Sequence, residues 1–212
     1  MRIEIWSDVV CPWCFVGYRN FDAALAGFEH RDQVEVRWRS FELDPSAPPV
    51  REGDYATHLA RKYGMSLEQA QNTIEAMTAP GARAGAVLDF AKARPGNTFD
   101  AHRLLHFAAD RGLQRATKER LFQATFTEGE PIGEREALLR LAIDVGLPAD
   151  ETATVLDSDA YAANVRADEE LALDLGISAV PFFVIDRKFG IPGAQPPEVI
   201  LQALQRAWDR AA

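Results

Sequence analysis

Short stretches patterned like strands stand at both ends of this chain, and a long helical stretch lies between them. At the front, Ile3, Ile5 and Trp6 with polar neighbours read as a strand that ends at Ser7-Asp8. Val34, Val36, Trp38 and Ser40 then alternate with Glu35, Arg37 and Arg39, the period of two that gives a strand two different faces. Between them Phe15, Val16, Tyr18, Phe21, Leu25 and Phe28 recur near helical spacing, which predicts a helix over residues 12 to about 29. Pro12 suits the first helical position, where a missing N–H costs nothing. At the far end, residues 181–186 form a short apolar run typical of a buried strand, and residues 188–191 a second short strand. Residues 197–208 read as a closing helix, with Val199, Ile200, Leu201, Leu204 and Trp208 facing inward.

The middle begins where Asp44-Pro45-Ser46-Ala47-Pro48-Pro49 ends the front unit. Helical segments are expected over residues 54–63, from Ser66 to a fading end near Pro80-Gly81, and then over 100–112, 117–126, 133–145, 151–156 and 161–175. Gly176 is placed to stop the last of these. Residues 87–90 read as a brief extended piece, and Arg94-Pro95-Gly96-Asn97 as a break. The order is therefore β-α-β, a helical block, then α-β-β-α. Without the block it is the thioredoxin arrangement. The expected fold is α/β, thioredoxin-like with an inserted all-helical domain. Its bounds are 1–45 for the first part of the thioredoxin-like domain, 46–158 for the insertion and 159–212 for the second part.

The 212 residues include only two cysteines, three positions apart in Cys11-Pro12-Trp13-Cys14. A bridge between them would close a tiny loop, so structural cross-linking explains them poorly. Chemistry explains them better. Cys11 falls just beyond the first strand, at the cap of the first helix, where free backbone N–H groups and the helix dipole favour a negative sulfur. The thiolate is the attacking species in disulfide exchange. Cys14 lies one turn deeper and can bridge back. A Cys-x-x-Cys within a β-α-β pattern points to thiol–disulfide redox chemistry. The competing reading is zinc, with His102 and His106 completing a Cys2His2 set. The two pairs are too far apart in sequence for a compact zinc module, and no second Cys-x-x-Cys exists, so no metal is expected.

The net charge of −9 repels phosphate backbones, and nucleic acid is not an expected partner. Charges interrupt every apolar run, so no membrane partner is expected. The first residues lack the pattern of a secretory signal, and the expected location is the cytoplasm.

Ser7-Asp8-Val9-Val10-Cys11-Pro12-Trp13-Cys14 resembles the active-site motif of the DsbA family of thioredoxin-fold proteins. More narrowly it is similar to the cytoplasmic FrnE-like branch, described as polyketide-associated dithiol–disulfide isomerases. Asn97-Thr98-Phe99-Asp100-Ala101-His102-Arg103, Val180-Pro181-Phe182-Phe183-Val184-Ile185-Asp186 and Gly193-Ala194-Gln195-Pro196-Pro197 carry the resemblance along nearly the whole chain. It implies a nucleophilic Cys11, an exposed and attacking sulfur, a resolving Cys14 and a cis-Pro181 beside them. Pro12, Trp13 and Val180 would tune the centre or border the substrate groove. Protein or peptide thiols and disulfides are the implied partners. No cofactor beyond the Cys11–Cys14 disulfide is implied, and glutathione as co-substrate and a homodimer are left open. The kappa-class glutathione transferases and 2-hydroxychromene-2-carboxylate isomerases share the layout but carry serine at the first active position, where this chain has Cys11. A glutathione-dependent isomerase or transferase is therefore the first alternative, and a non-catalytic chaperone-like binder the second. Trp13 stands where the periplasmic proteins have histidine, so strong oxidising power does not carry over. His102 is weighed between a proton-steering role at the groove and packing at a domain junction; His106, Trp6, Trp38 and Trp208 are expected to be structural, and Trp13 to be exposed. Gln195 is weighed between substrate contact and a loop role.

Overall fold

The computed structural model describes residues 1–51 and 53–210. Four strands, β1 (Arg2–Ser7), β2 (Glu35–Ser40), β3 (Phe182–Ile185) and β4 (Phe189–Pro192), form one sheet in the order β2-β1-β3-β4. β1 runs parallel to β2 and antiparallel to β3, and β3 pairs antiparallel with β4. The parallel pair needs a crossover, which helix α1 (Pro12–Ala26) supplies. Helices α2 (Tyr55–Tyr63), α3 (Leu67–Ala84), α4 (Phe99–Ala109), α5 (Gln114–Gln123), α6 (Arg135–Asp144) and α7 (Ala149–Leu156) follow β2. Helix α8 (Ala162–Asp174) leads back to β3, and α9 (Pro197–Asp209) closes the chain.

The alternation along β1 sorts its side chains onto two covered faces. Ile3 and Ile5 join Phe15, Phe21, Phe183, Ile200 and Leu204 in a core between the sheet, α1 and α9. Trp6 turns the other way and packs with Ala172, Ile177 and Val184. A separate core, with Leu104, Leu105, Leu121, Leu138 and Leu141, holds α4, α5 and α6 together, and Val9 from the β1–α1 connection reaches into it. The connection that carries Cys11 is thus gripped by both the sheet unit and the helical block.

Three details differ from the sequence expectation. Helix α3 runs through Pro80 to Ala84 and ends at Gly85, whose φ is 75°. Proline deprives the carbonyl four residues earlier of its partner, and here that residue, Ala76, is exposed, so water can serve it. Residues 87–90 form no strand; Asp89 N–H donates to Phe126 O at 2.8 Å and Val87 O accepts Thr127 Oγ1–H at 2.9 Å, two ties to the one-turn π-helical segment Ala124–Glu128. Val199 faces solvent, while Ile200, Leu204 and Ala207 carry the buried stripe of α9. Gly176 does stop α8: its φ is 71°, and Ile177 N–H returns to Ala172 O at 2.8 Å.

Candidate active site

The strand-to-helix corner places the two cysteines. Cys11 is the cap residue of α1 with an extended backbone, and Pro12 is the first helical residue. Cys14 N–H donates to Cys11 O at 3.0 Å and to Cys11 Sγ at 3.3 Å. The sulfur therefore does what a serine or aspartate oxygen does at other helix starts, and any negative charge on it meets the positive end of the helix. No acidic residue occupies the first turn to oppose this. Both cysteines are free thiols.

Cys11 departs from the expectation of an exposed sulfur: the residue is 5% accessible. It lines a cleft of about 510 Å³ whose far wall comes from α2 and α3, through Tyr55, Leu59 and Met77. Helices of the inserted block roof the corner, and sequence spacing alone does not show this. Pro12, Trp13, Val180 and Asp8 line the same cleft, with Arg51 and Lys62 adding positive charge to its rim. Trp13 is 39% exposed, as its place between the cysteines suggests. Cys14 is fully buried, and burial, then the hydrogen bond and charge of Cys11, push its thiol well above the ordinary value.

The Val180–Pro181 peptide bond is cis. The Cys11 thiol donates to Val180 O at 3.7 Å, so this connection lies beside the sulfur. Pro181 itself is buried against α1, where Gly17 leaves room for it.

His102 does not reach the cleft. It is wholly buried on α4, and its Nε2 lies 3.3 Å from Asp8 Oδ1. Burial lowers its pKa despite the opposing pull of Asp8, so the ring is neutral and donates through Nε2. Asp8 is equally buried and accepts Leu43 N–H at 2.8 Å. Burial raises the carboxyl, but His102 and Leu43 outweigh it and hold Asp8 below its ordinary value. His106 is separate from the centre: its Nε2 lies 3.2 Å from Ser40 Oγ and 3.1 Å from Asp168 Oδ2. The four proposed zinc ligands do not converge, and among the described residues no group of three or more His, Cys, Asp or Glu could hold a metal ion. Gln195 caps its own loop, with Nε2 donating to Pro192 O at 2.8 Å.

One site residue was outside the sequence reading. Lys118 on α5 is fully buried, and its Nζ donates to Ser7 O at 3.2 Å, at the base of the cysteine corner. Burial pulls its pKa down to about 8, against the attraction of Cys14, Asp8 and Cys11. The signal was present: Lys118 falls on the stripe of Leu121, Phe122 and Thr125, a charge where an apolar side chain belongs.

Comparison with known proteins agrees with this fold. A probable DsbA oxidoreductase from Streptomyces coelicolor superposes with a TM-score of 0.93 at 47% identity, covering 99% of this chain and 90% of that one. The cytosolic disulfide reductase DsbM from Pseudomonas aeruginosa, solved with GSH, shares the fold at a TM-score of 0.66 and 19% identity, covering 99% of this chain and all of that one. The uncharacterized protein YwbO of Bacillus subtilis (strain 168) is 32% identical over 206 residues, 96% of each chain. The profile of the DSBA-like thioredoxin domain matches residues 2–205, nearly the full length, and the chain belongs to that family of thiol oxidoreductases.

Proposed function

We propose that this chain is a thiol–disulfide oxidoreductase or isomerase acting on protein or peptide disulfides through Cys11 and Cys14, in the manner of the FrnE-like branch. The carrying observation is the asymmetry of the pair: Cys11 opens onto a cleft at a helix start, while Cys14 is sealed behind it. In the reducing direction, the Cys11 thiolate attacks one sulfur of a substrate disulfide. The substrate S–S bond breaks, and the other sulfur leaves with its electron pair and takes up a proton. Cys14, as a thiolate, then attacks Cys11, releasing the second substrate thiolate and closing the Cys11–Cys14 disulfide. Two electrons pass from the pair to the substrate; oxidation runs the same steps backwards, and in isomerisation another substrate thiolate attacks the mixed disulfide, forming a new substrate S–S bond and releasing the Cys11 thiolate. Only the two sulfurs carry electrons, so no metal or organic cofactor enters, and glutathione would act as a co-substrate.

Pro12 starts the helix, Trp13 and Val180 flank the sulfur, and Pro181 packs behind it. His102 acts through Asp8 rather than on substrate. The apolar wall of Tyr55, Leu59 and Met77 suits a peptide side chain beside the scissile disulfide. The setting we assign is the cytoplasm, with a thiol pool to recycle the pair. Among the described residues no helix is long and apolar enough to cross a membrane.

The test is Cys14→Ala incubated with a peptide disulfide. A covalent adduct through Cys11 is expected, identified by peptide mass and released by dithiothreitol. If no adduct forms and the unmutated protein neither reduces, oxidises nor shuffles the peptide, the reading is wrong.

A further inference from the structure

A fully buried lysine needs a reason. Lys118 makes one hydrogen bond, to the neutral carbonyl of Ser7, and has no salt bridge among the described residues. Its ammonium lies 5.2 Å from the ring centre of Phe122 and 5.9 Å from that of Trp38. A buried cation without an anion is costly, and leucine or methionine would fill this stripe of α5 more stably. Four titratable groups face it: Cys11 and Cys14 from α1, Asp8 from the β1–α1 connection, and His102 from α4. Asp8 is already committed to His102 and Leu43 N–H. His102 is neutral. The anion able to match Lys118 is the one the reaction itself creates at Cys14, which is as fully buried as the lysine and acts on its charge.

Resting on the proposed redox reading, we propose that Lys118 is the counter-charge for Cys14 in the resolving step. At the mixed disulfide, the Cys14 thiol gives its proton to the first substrate thiolate released, and the Lys118 ammonium beside it holds the resulting Cys14 thiolate. The thiolate attacks Cys11, the Cys11–Cys14 bond forms, and the substrate sulfur leaves with the electron pair. Cys14 is then neutral, and the Lys118 ammonium is left with the Ser7 carbonyl and the Trp38 and Phe122 ring faces alone. The lysine comes from the helical block, so that block contributes chemistry as well as a cleft wall.

The probe is 5,5′-dithiobis(2-nitrobenzoate), which reports two steps in one trace. Cys11 attack releases the first thionitrobenzoate, and Cys14 attack on the resulting mixed disulfide releases the second. In Lys118→Met the second release should slow by roughly tenfold or more at pH 7, with its acid limb moved to higher pH, while the first release changes much less. An unchanged ratio of the two rates across pH would overturn the proposal. If Lys118→Met does not fold, the side-chain Cε of Lys118 can be titrated by NMR in Cys11→Ser and in Cys11→Ser/Cys14→Ser. Its titration should differ between the two; identical curves would also overturn the proposal. The NMR arm involves no disulfide exchange. A protein inactive on every disulfide would therefore fail the redox reading while leaving the Cys14–Lys118 coupling to be judged separately.

Discussion

Asp8 and His102 form a buried pair whose protonation bears on stability as well as on the site. The folded pKa of His102 lies below its ordinary value of 6.5 because burial disfavours the imidazolium, with Asp8 only partly offsetting this. Between 6.5 and the depressed folded value, the unfolded chain binds a proton that the folded chain does not, so stability falls as pH falls through that window. Asp8 contributes in the same direction, but only at lower pH, below its ordinary 3.8. Glu42 opposes them: burial raises its carboxyl to about 7, so the folded state holds the extra proton between 4.5 and 7 and gains stability as pH falls there. His58, lowered by burial and Arg51, adds to the His102 effect. A difference measurement separates these contributions. The urea midpoint of the unmutated chain, compared with His102→Gln from pH 7 to pH 5, should show the smaller acid loss in the variant. Parallel curves would mean that His102 is not the buried neutral base described above.

At the scale of elements, the contact of α1 with the Val180–Pro181 connection sets the site. A Cβ at Gly17 would stand 2.9 Å from Pro181 Cγ and 3.6 Å from Ala194 Cα. Alanine gains about 1 kcal/mol of helix propensity over glycine, but overpacking costs about 1–3 kcal/mol. Pro181 is a buried ring on a short strand connection and has little room to yield. Gly17→Ala should therefore lower the melting temperature despite the better helix former. It should also slow peptide-disulfide turnover, by moving Val180 O away from Cys11. A melting temperature above that of the parent would show that the ring yields freely. These elements were largely legible in the sequence. All four strands, α1 and α9 announced themselves by period and by caps, and the Cys11–Cys14 corner was legible because helix start and cysteine spacing are local. Local signals cannot show what arrives from elsewhere. The roof over Cys11, the seat of Lys118 beneath it and the Asp8–His102 pair all depend on helices α2 to α5 folding back across the corner. Lys118 breaks the apolar stripe of its helix and His102 stands out by its motif, but neither signal names the group that each one meets.

The whole molecule is tied together by a second buried polar system, on the sheet face away from α1. Arg39 on β2 donates to Glu4 of β1, with Nε 2.9 Å from Oε1, and to Asp168 of α8, with NH1 2.6 Å from Oδ1. Asp168 also accepts Ser40 N–H at 2.9 Å and meets His106 of α4 at 3.1 Å, while its backbone carbonyl accepts Trp6 Nε1–H at 2.9 Å. One arginine thus joins two strands to α8, and through Asp168 to the helical block. Burial raises the Glu4 carboxyl, but Arg187 and Arg39 outweigh it and keep Glu4 below its ordinary value. Arg187 is largely exposed and cannot replace Arg39 over Asp168. Removing one partner of a buried pair costs about 3–5 kcal/mol, mostly from the charge left behind. Arg39→Met should therefore lower unfolding stability by about that amount, read as a shift in the urea midpoint. If the orphaned carboxylate is the cause, adding Glu4→Met should recover part of the loss, because the side chain then placed between β1 and α8 needs no partner. A double variant less stable than Arg39→Met alone would show that Glu4 is held chiefly by Arg187, and that Arg39 serves α8 rather than the sheet.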